Sequence, residues 1–140
     1  MGKRFVAAAA VGLAAAATGC STNPPALGGT TAKVTVNGRS TGGPYPVTCI
    51  QTGWLWTIKT YDDQAQGFTA SIEAGDEVTV QAVELRDLGG FTGTFWRDNL
   101  GEAEVSSAGG TYTITGTADG SFADNPNETV STPFRIEATC

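Results

Sequence analysis

Apolar and polar residues alternate with a period of two through most of this chain, and no other feature of the sequence constrains the fold as strongly. In the segment WLWTIKTY, Trp54, Trp56 and Ile58 fall on one face. In the closing segment PFRIEATC, Phe134 and Ile136 alternate with charged residues. A two-residue period is that of a β-strand with one buried face, whereas a helix repeats every 3.6 residues. The sequence therefore predicts an all-β protein.

Turn signals divide this pattern into separate strands. Asn37-Gly38 favours a tight hairpin turn, and Ala108-Gly109-Gly110 separates AEVSS from TYTITGTA. The result is about eight or nine short, mainly antiparallel strands, as in a single small β-sandwich or a partly open barrel. Residues 119–133 are the longest irregular piece, in which DNPNET leaves room for one helical turn.

The first 19 residues have the composition of a secretory signal peptide. Lys3 and Arg4 precede an uncharged apolar stretch over residues 5–17, which is shorter than the roughly 20 residues that a transmembrane helix needs. A basic start, a short apolar middle and a small-residue end indicate a segment that is removed. Residues 1–19 are therefore excluded from the fold.

The signal segment ends in Ala17-Thr18-Gly19-Cys20, which resembles the lipobox of bacterial lipoproteins. A cysteine is needed there because its sulfur is the nucleophile that is alkylated to a diacylglyceryl thioether. We expect cleavage between Gly19 and Cys20, with diacylglyceryl and N-acyl modification of Cys20. Two acyl chains suffice for stable membrane anchoring. The alternative is an ordinary secretion signal with a chance cysteine.

These expectations divide the chain into three parts and place it outside the cell membrane, held to the envelope by lipid. Residues 1–19 are the signal peptide, and residues 20–31, rich in Pro and Gly and without a charge, are a flexible lipidated tether. Residues 32–140 form one β-rich domain, a length suited to a single core.

The cysteine count predicts one disulfide. Lipidation of Cys20 leaves Cys49 and Cys140 as an even pair in a compartment that permits a disulfide. Because a chain terminus frays unless it is held, a cysteine at the last position is best explained as a staple.

Charge and composition exclude several functions. The whole chain has 8 basic and 14 acidic residues, and removal of Lys3 and Arg4 leaves 6 against 14, a net charge of −8. This balance argues against nucleic acid as a partner. The absence of histidine removes the Ser-His-Asp and Cys-His catalytic groups and the commonest metal ligand. The sequence therefore predicts no cofactor, no metal site and no enzymatic activity.

Two further sets of residues remain as candidates for a site. The acidic pairs Asp62-Asp63, Asp76-Glu77 and Glu102 with Glu104 could supply a glycosidase pair, although their positions favour turns. The tryptophans could instead form a sugar platform or an apolar pocket, with the alternative that they fill the core of a small domain. These candidates for ligand contact are Trp54, Trp56 and Trp96. In FTGTFW, Phe91, Gly93 and Phe95 share one face and Trp96 lies on the other.

Several phrases of the sequence are shared with a known family. GFTGTFW at residues 90–96, TYTITGTADG at residues 111–120 and the ending STPFRIEATC resemble the mycobacterial LpqH/LppE-type lipoprotein antigens, nearest the LppE-like branch. VTVNG and the VTC that contains Cys49 fit the same pattern. The resemblance covers nearly all of the chain from Cys20 onward.

This resemblance implies a lipid-anchored cell-envelope protein whose acylated amino terminus is recognised by host Toll-like receptors. It also implies lipidation at Cys20 and a disulfide between Cys49 and Cys140, and it brings no catalytic residues. The favoured interpretation is a non-enzymatic surface antigen or interaction module. The alternatives are a binder of an envelope lipid or glycan through aromatic side chains and, third, a carboxylate-based hydrolase.

Overall fold

The computed structural model of this protein describes residues 30–61 and 65–140. These residues form ten strands and no helix, so among them there is no helix that could span a membrane. The strands are β1 (Thr31–Val36), β2 (Arg39–Ser40), β3 (Tyr45–Thr52), β4 (Leu55–Thr60), β5 (Gly67–Ala74), β6 (Val78–Leu88), β7 (Phe91–Trp96), β8 (Glu102–Ala108), β9 (Thr111–Phe122) and β10 (Asn125–Thr139).

The all-β prediction is confirmed, and every strand pairing is antiparallel. The strand beyond the expected eight or nine is β2, which is too short to show a period of its own. It pairs with β1 after a turn in which Asn37 and Gly38 have φ of 53° and 76°. Gly109 and Gly110, with φ of 59° and 82°, form the corresponding turn between β8 and β9. Positive φ at both central residues is what a two-residue hairpin turn of type I′ requires.

The strand pairings close on themselves. Neighbouring strands in the ring pair in the order β1, β3, β4, β5, β6, β7, β9 and β10, and β10 pairs in turn with β1. The ring is thin where β1 meets β3, because only Thr31 and Ala32 pair there, with Pro46 and Tyr45. β8 pairs with β9 alone among the described strands, on the edge that β9 also offers to β7. The arrangement is a single continuous sheet that is not a clean barrel.

The expected helical turn in DNPNET is wrong. β9 continues to Phe122 and β10 begins at Asn125, so most of the piece predicted as irregular is extended. The pairing is interrupted between Asn125 and Val130, where Pro126 has no N–H to donate to a ladder. Asn125 Nδ2 instead donates to Glu128 Oε2 at 2.5 Å. A local irregularity in a long hairpin therefore accounts for the Pro- and Asn-rich sequence.

The strands bury one face each in a common core. Phe134, Ile136 and Ala138 of β10 are buried, as their alternation predicts, and they alternate with Arg135, Glu137 and Thr139. Phe68, Phe91, Ile58, Ile72, Leu85, Leu88, Ile114 and Ile136 are among the largest side chains shielded from water. Because inner and outer positions alternate along every strand, the other face of the sheet is left to the solvent.

The chain enters the domain alongside β3. The N–H of Val47 donates to the carbonyl of Thr30 at 3.1 Å, and Thr30 Oγ1 donates to the carbonyl of Val47 at 2.6 Å. Thr31, the last residue of the expected tether, already belongs to β1. β3 then continues past this point to the turn at residues 53–54, which lies beside the β5–β6 turn at residues 75–77. We call the part of the domain that contains these two turns the hairpin end.

Candidate functional site: an uncharged stripe on the outer sheet face

The expected disulfide is present. Cys49 in β3 is bonded to Cys140, with 6.0 Å between their Cα atoms and a sequence separation of 91. The N–H of Cys140 also donates to the carbonyl of Gly110 at 2.9 Å. The last residue of the chain is thus fixed to β3 and to the β8–β9 turn. Gly19 and Cys20, the expected cleavage and lipidation site, lie outside the described residues.

The three tryptophans occupy three different environments. Trp54 lies in the turn between β3 and β4, is 74% exposed, and its carbonyl accepts from the N–H of Ala74 at 2.7 Å. Trp56 is half-buried against the core, with its ring centroid 6.2 Å from that of Tyr112. Trp96 ends β7 and is 59% exposed. The common face expected for Trp54, Trp56 and Ile58 holds only for the last two, because Trp54 precedes the strand.

The aromatic residues of β7 divide as their spacing predicts. Phe91 and Phe95 are buried, and the ring of Phe91 lies 5.1 Å from that of Phe122 between centroids. Trp96 points to the opposite, outer face. The interpretation that the aromatic residues fill the core is therefore correct for Phe91, Phe95 and Trp56 and wrong for Trp54 and Trp96.

The strand register places Trp96 in a row of uncharged side chains on the outer face. Directly opposed residues on antiparallel strands share a face, and the register joins Ile50 to Thr57, Thr57 to Ser71, Ser71 to Ala82, and Ala82 to Trp96. Leu100 extends the row, because its N–H donates to the carbonyl of Trp96 at 2.8 Å and its carbonyl accepts from the N–H of Trp96 at 2.9 Å. At 4.8 Å per strand, the path along the sheet from Ile50 to Trp96 is about 19 Å. We call these six residues the outer stripe.

Charged and amide side chains border the outer stripe on both sides. On one side Arg86 Nη1 donates to Glu84 Oε1 and to Thr69 Oγ1, both at 3.2 Å. On the other side Gln81 Nε2 donates to Glu73 Oε2 at 2.9 Å. The outer stripe therefore has exposed apolar groups at its ends, hydroxyl groups between them and hydrogen-bonding groups along its edges. Such a surface can stack on the apolar face of a sugar and bond to its hydroxyl groups.

The acidic residues named from the sequence do not form an enclosed cleft. Glu102 and Glu104 are exposed on β8 and line an open groove of about 590 Å³ together with Arg97, Val78 and Phe95. Asp76 and Glu77 are exposed at the hairpin end. Asp62 and Asp63 lie outside the described residues. In the part of the chain that the structure covers, no three His, Cys, Asp or Glu side chains lie together as metal ligands would.

The outer stripe could not be read from the sequence. Ile50, Ser71, Ala82 and Trp96 are far apart along the chain, and their alignment depends on the register of four strand pairs. The register also contains an irregularity between Ser71 and Ile72 opposite β6, which no periodic pattern reveals. The one sequence signal was the placement of Trp96 opposite Phe95.

The fold defines a small, disulfide-bonded type of β module. The model of the Mycobacterium 19 kDa lipoprotein antigen family matches residues 25–140, and the chain belongs to this family. It is 35% identical to a lipoprotein of Mycobacterium indicus pranii over all of both chains. It is 36% identical to the lipoprotein LppE of Mycobacterium tuberculosis, covering 78% of this chain and 77% of that protein.

The family has a second well-matched branch. The lipoprotein LpqH of Mycobacterium avium is 32% identical over 109 residues, which cover 77% of this chain and 67% of that protein. The predicted resemblance to LpqH/LppE-type antigens is thereby confirmed. Membership of a lipoprotein family implies an exported protein of the cell envelope that is associated with a membrane.

Proposed function

We propose that this chain is a lipoprotein anchored through acylated Cys20, and that its β domain is a non-enzymatic surface antigen that acts by binding. The observation that carries the proposal is the tetrapeptide Ala17-Thr18-Gly19-Cys20 in a member of a lipoprotein family. A diacylated cysteine supplies two acyl chains, at about 0.8 kcal/mol for each buried methylene, which is enough to hold the protein at a bilayer.

The anchor is tested in the native host by changing one sulfur atom to oxygen. Cys20→Ser removes the nucleophile, so the protein should move from the detergent-rich phase to the aqueous phase on phase separation. Ser21→Ala, one residue further on, is the matched control and should leave partitioning unchanged. Mass spectrometry of the purified native protein should show an amino terminus at Cys20 that carries acyl mass. A chain that begins elsewhere would overturn the proposal.

We propose that the domain binds a ligand and does not catalyse a reaction, because its candidate carboxylates lie in an open groove. Glu102 and Glu104 are both exposed in an open groove, whereas a glycosidase pair flanks a bond held between the two carboxyl groups. The outer stripe, in contrast, offers a continuous surface. As a second candidate function, we propose that this stripe binds an envelope glycan or lipid, and the exposed ring of Trp96 is the observation that favours it.

The second candidate predicts a specific dependence on Trp96. Trp96→Ala should weaken binding of purified envelope glycans by roughly tenfold, which corresponds to about 1.4 kcal/mol. Trp56→Phe is the control, since Trp56 packs against the core and should leave glycan affinity unchanged. If wild type and Trp96→Ala bind the glycans with equal affinity in a titration, the outer stripe is not the binding site.

Recognition by a host Toll-like receptor is proposed to run through the lipid and not through the β domain. On this proposal the Cys20→Ser protein fails to activate a receptor reporter cell, whereas Trp96→Ala activates it as wild type does. Full activation by Cys20→Ser would assign recognition to the domain.

A further inference from the structure

The hairpin end carries a cluster of exposed apolar side chains. Seven large apolar residues of the described chain are exposed, three of them at the hairpin end and three in the outer stripe. Trp54 lies in the β3–β4 turn, Val78 pairs with Ala74 beside the β5–β6 turn, and Leu55 pairs with Thr52. The other three are in the outer stripe, and they are Ile50, Trp96 and Leu100. Only Tyr61 lies past the opposite end of β4.

The first described strand, β1, begins on the side of this same end. Thr30 lies beside Val47, and β3 runs from there to the hairpin turn. Because β1 runs antiparallel to β3, the described chain enters β1 from the side toward which β3 extends. Between Cys20 and Thr30 the chain spans at most about 35 Å when fully extended. An acyl anchor on Cys20 would thus hold the domain close to a bilayer, with the hairpin end on the near side.

From these two observations we infer that the hairpin end faces the membrane and that the indole of Trp54 rests in the lipid headgroup region. The inference depends on the anchoring at Cys20 that is proposed above. Tryptophan is the side chain most suited to this depth, because its apolar rings and its N–H match a boundary between hydrocarbon and water. Trp54 is also the most exposed of the large apolar residues. Its carbonyl is already bonded to the N–H of Ala74, so this polar group needs no partner from the lipid.

The charges of the hairpin end limit how deeply it enters. Glu73, Asp76 and Glu77 are exposed next to Trp54. Carboxylates stay hydrated because transfer into hydrocarbon is costly. The contact is therefore with the headgroup layer of a lipid surface, and it is made by a side chain in a turn.

The test uses the full acylated protein in phosphatidylcholine vesicles that contain brominated lipid, which quenches indole fluorescence on contact. Flotation of the vesicles reports anchoring, and the loss of tryptophan emission reports the contact. Wild type should float and be quenched. Trp54→Phe should float equally and lose most of the quenchable emission, whereas Trp96→Phe should retain it. A Trp54→Phe, Tyr61→Trp variant places a probe at the opposite end and should be unquenched.

The outcomes separate the two proposals. If both proteins float and Trp54→Phe is quenched as much as wild type, the anchor at Cys20 is supported and the proposed orientation is wrong. Quenching of the tryptophan introduced at position 61 would likewise show that the proposed orientation is wrong, without affecting the anchor. Failure of the wild-type protein to float would overturn the anchor, and the orientation with it.

Discussion

Thr60 is a single buried hydroxyl that connects two strands where their ladder ends. Thr60 Oγ1 accepts from the N–H of Phe68 at 3.0 Å and also lies 3.3 Å from the carbonyl of that residue. The guanidinium of Arg86 approaches the same oxygen at 3.4 Å. A Cβ on Gly67 would collide with this side chain, so glycine is required there. One side chain therefore closes the β4–β5 pair.

Replacing that hydroxyl by a methyl group of similar volume should be costly. Thr60→Val leaves the buried N–H of Phe68 without its side-chain acceptor, and we expect a loss of about 1–3 kcal/mol in the free energy of unfolding. Thr57→Val, in the half-buried outer stripe, is the control and should change stability by less than about 0.5 kcal/mol. Urea unfolding of both variants measures the difference. Equal midpoints for the two would contradict the assigned role of Thr60.

The disulfide should contribute strongly to stability because it closes a long loop. Cys49 and Cys140 are 91 residues apart, and restricting a loop of that length in the unfolded chain stabilises the fold by about 2–5 kcal/mol. The Cys49→Ala, Cys140→Ala double variant should unfold at a correspondingly lower urea concentration. Adding a reductant should lower the midpoint of wild type to that of the double variant and leave the double variant unchanged. A wild-type midpoint that is insensitive to reductant would contradict this prediction.

At the scale of elements, β9 determines how the sheet is arranged. It pairs with β10 on one edge and divides its other edge between β8 and β7. Two of its glycines allow the neighbouring backbones to come close. A Cβ on Gly116 would meet Glu102 and Ala103, and one on Gly120 would meet Thr92 and Gly93. The division of this edge therefore depends on residues without side chains.

Gly120→Ala tests this requirement. The added methyl group has to displace backbone atoms of β7, and we expect a loss of roughly 1–3 kcal/mol. Gly75→Ala is the matched control, since the nearest atom to its Cβ would be the carbonyl oxygen of Glu77 at 3.8 Å. Thermal unfolding should show a lower midpoint for Gly120→Ala alone. Two variants with the same midpoint would mean that β9 tolerates a side chain at this point.

The sequence correctly predicted most of the segments that form strands, and the exceptions have physical causes. The closing strand could be predicted because Phe134, Ile136 and Ala138 alternate with polar residues. The segment at residues 124–129 was misread because Pro and Asn favour turns locally, whereas its long hairpin partner holds β10 extended on both sides of the irregularity. Tertiary pairing overrode local preference there.

At the scale of the whole molecule, the charge of the hairpin end should decide which lipids it tolerates. Glu73, Asp76 and Glu77 are exposed at the same end as Trp54, and exposed charges interact over about 10 Å at 0.1 M salt. We expect quenching of Trp54 by brominated lipid to fall when phosphatidylglycerol is added at low ionic strength. High salt should restore it, because screening removes the repulsion. Flotation should not change, since the acyl chains act independently of this charge.

The matched variant for this prediction is Asp76→Asn with Glu77→Gln. It removes two of the three carboxylates and should make quenching nearly independent of phosphatidylglycerol. If wild type were quenched equally by neutral and anionic vesicles at low salt, the carboxylates would have to lie away from the lipid.

The sequence by itself determined the all-β class, the inner face of most strands, the pairing of Cys49 with Cys140 and the family, and it located the anchor that we propose at Cys20. These are local or countable properties, because a two-residue period, a turn dipeptide and an even number of cysteines are each visible within short stretches. Only the tertiary structure decided that the ring closes through β10, that Trp54 and Trp96 face solvent while Trp56 packs inside, and that Ile50 aligns with Trp96. Those facts depend on strand register and on which edges meet, and both are set by contacts between residues far apart in the chain.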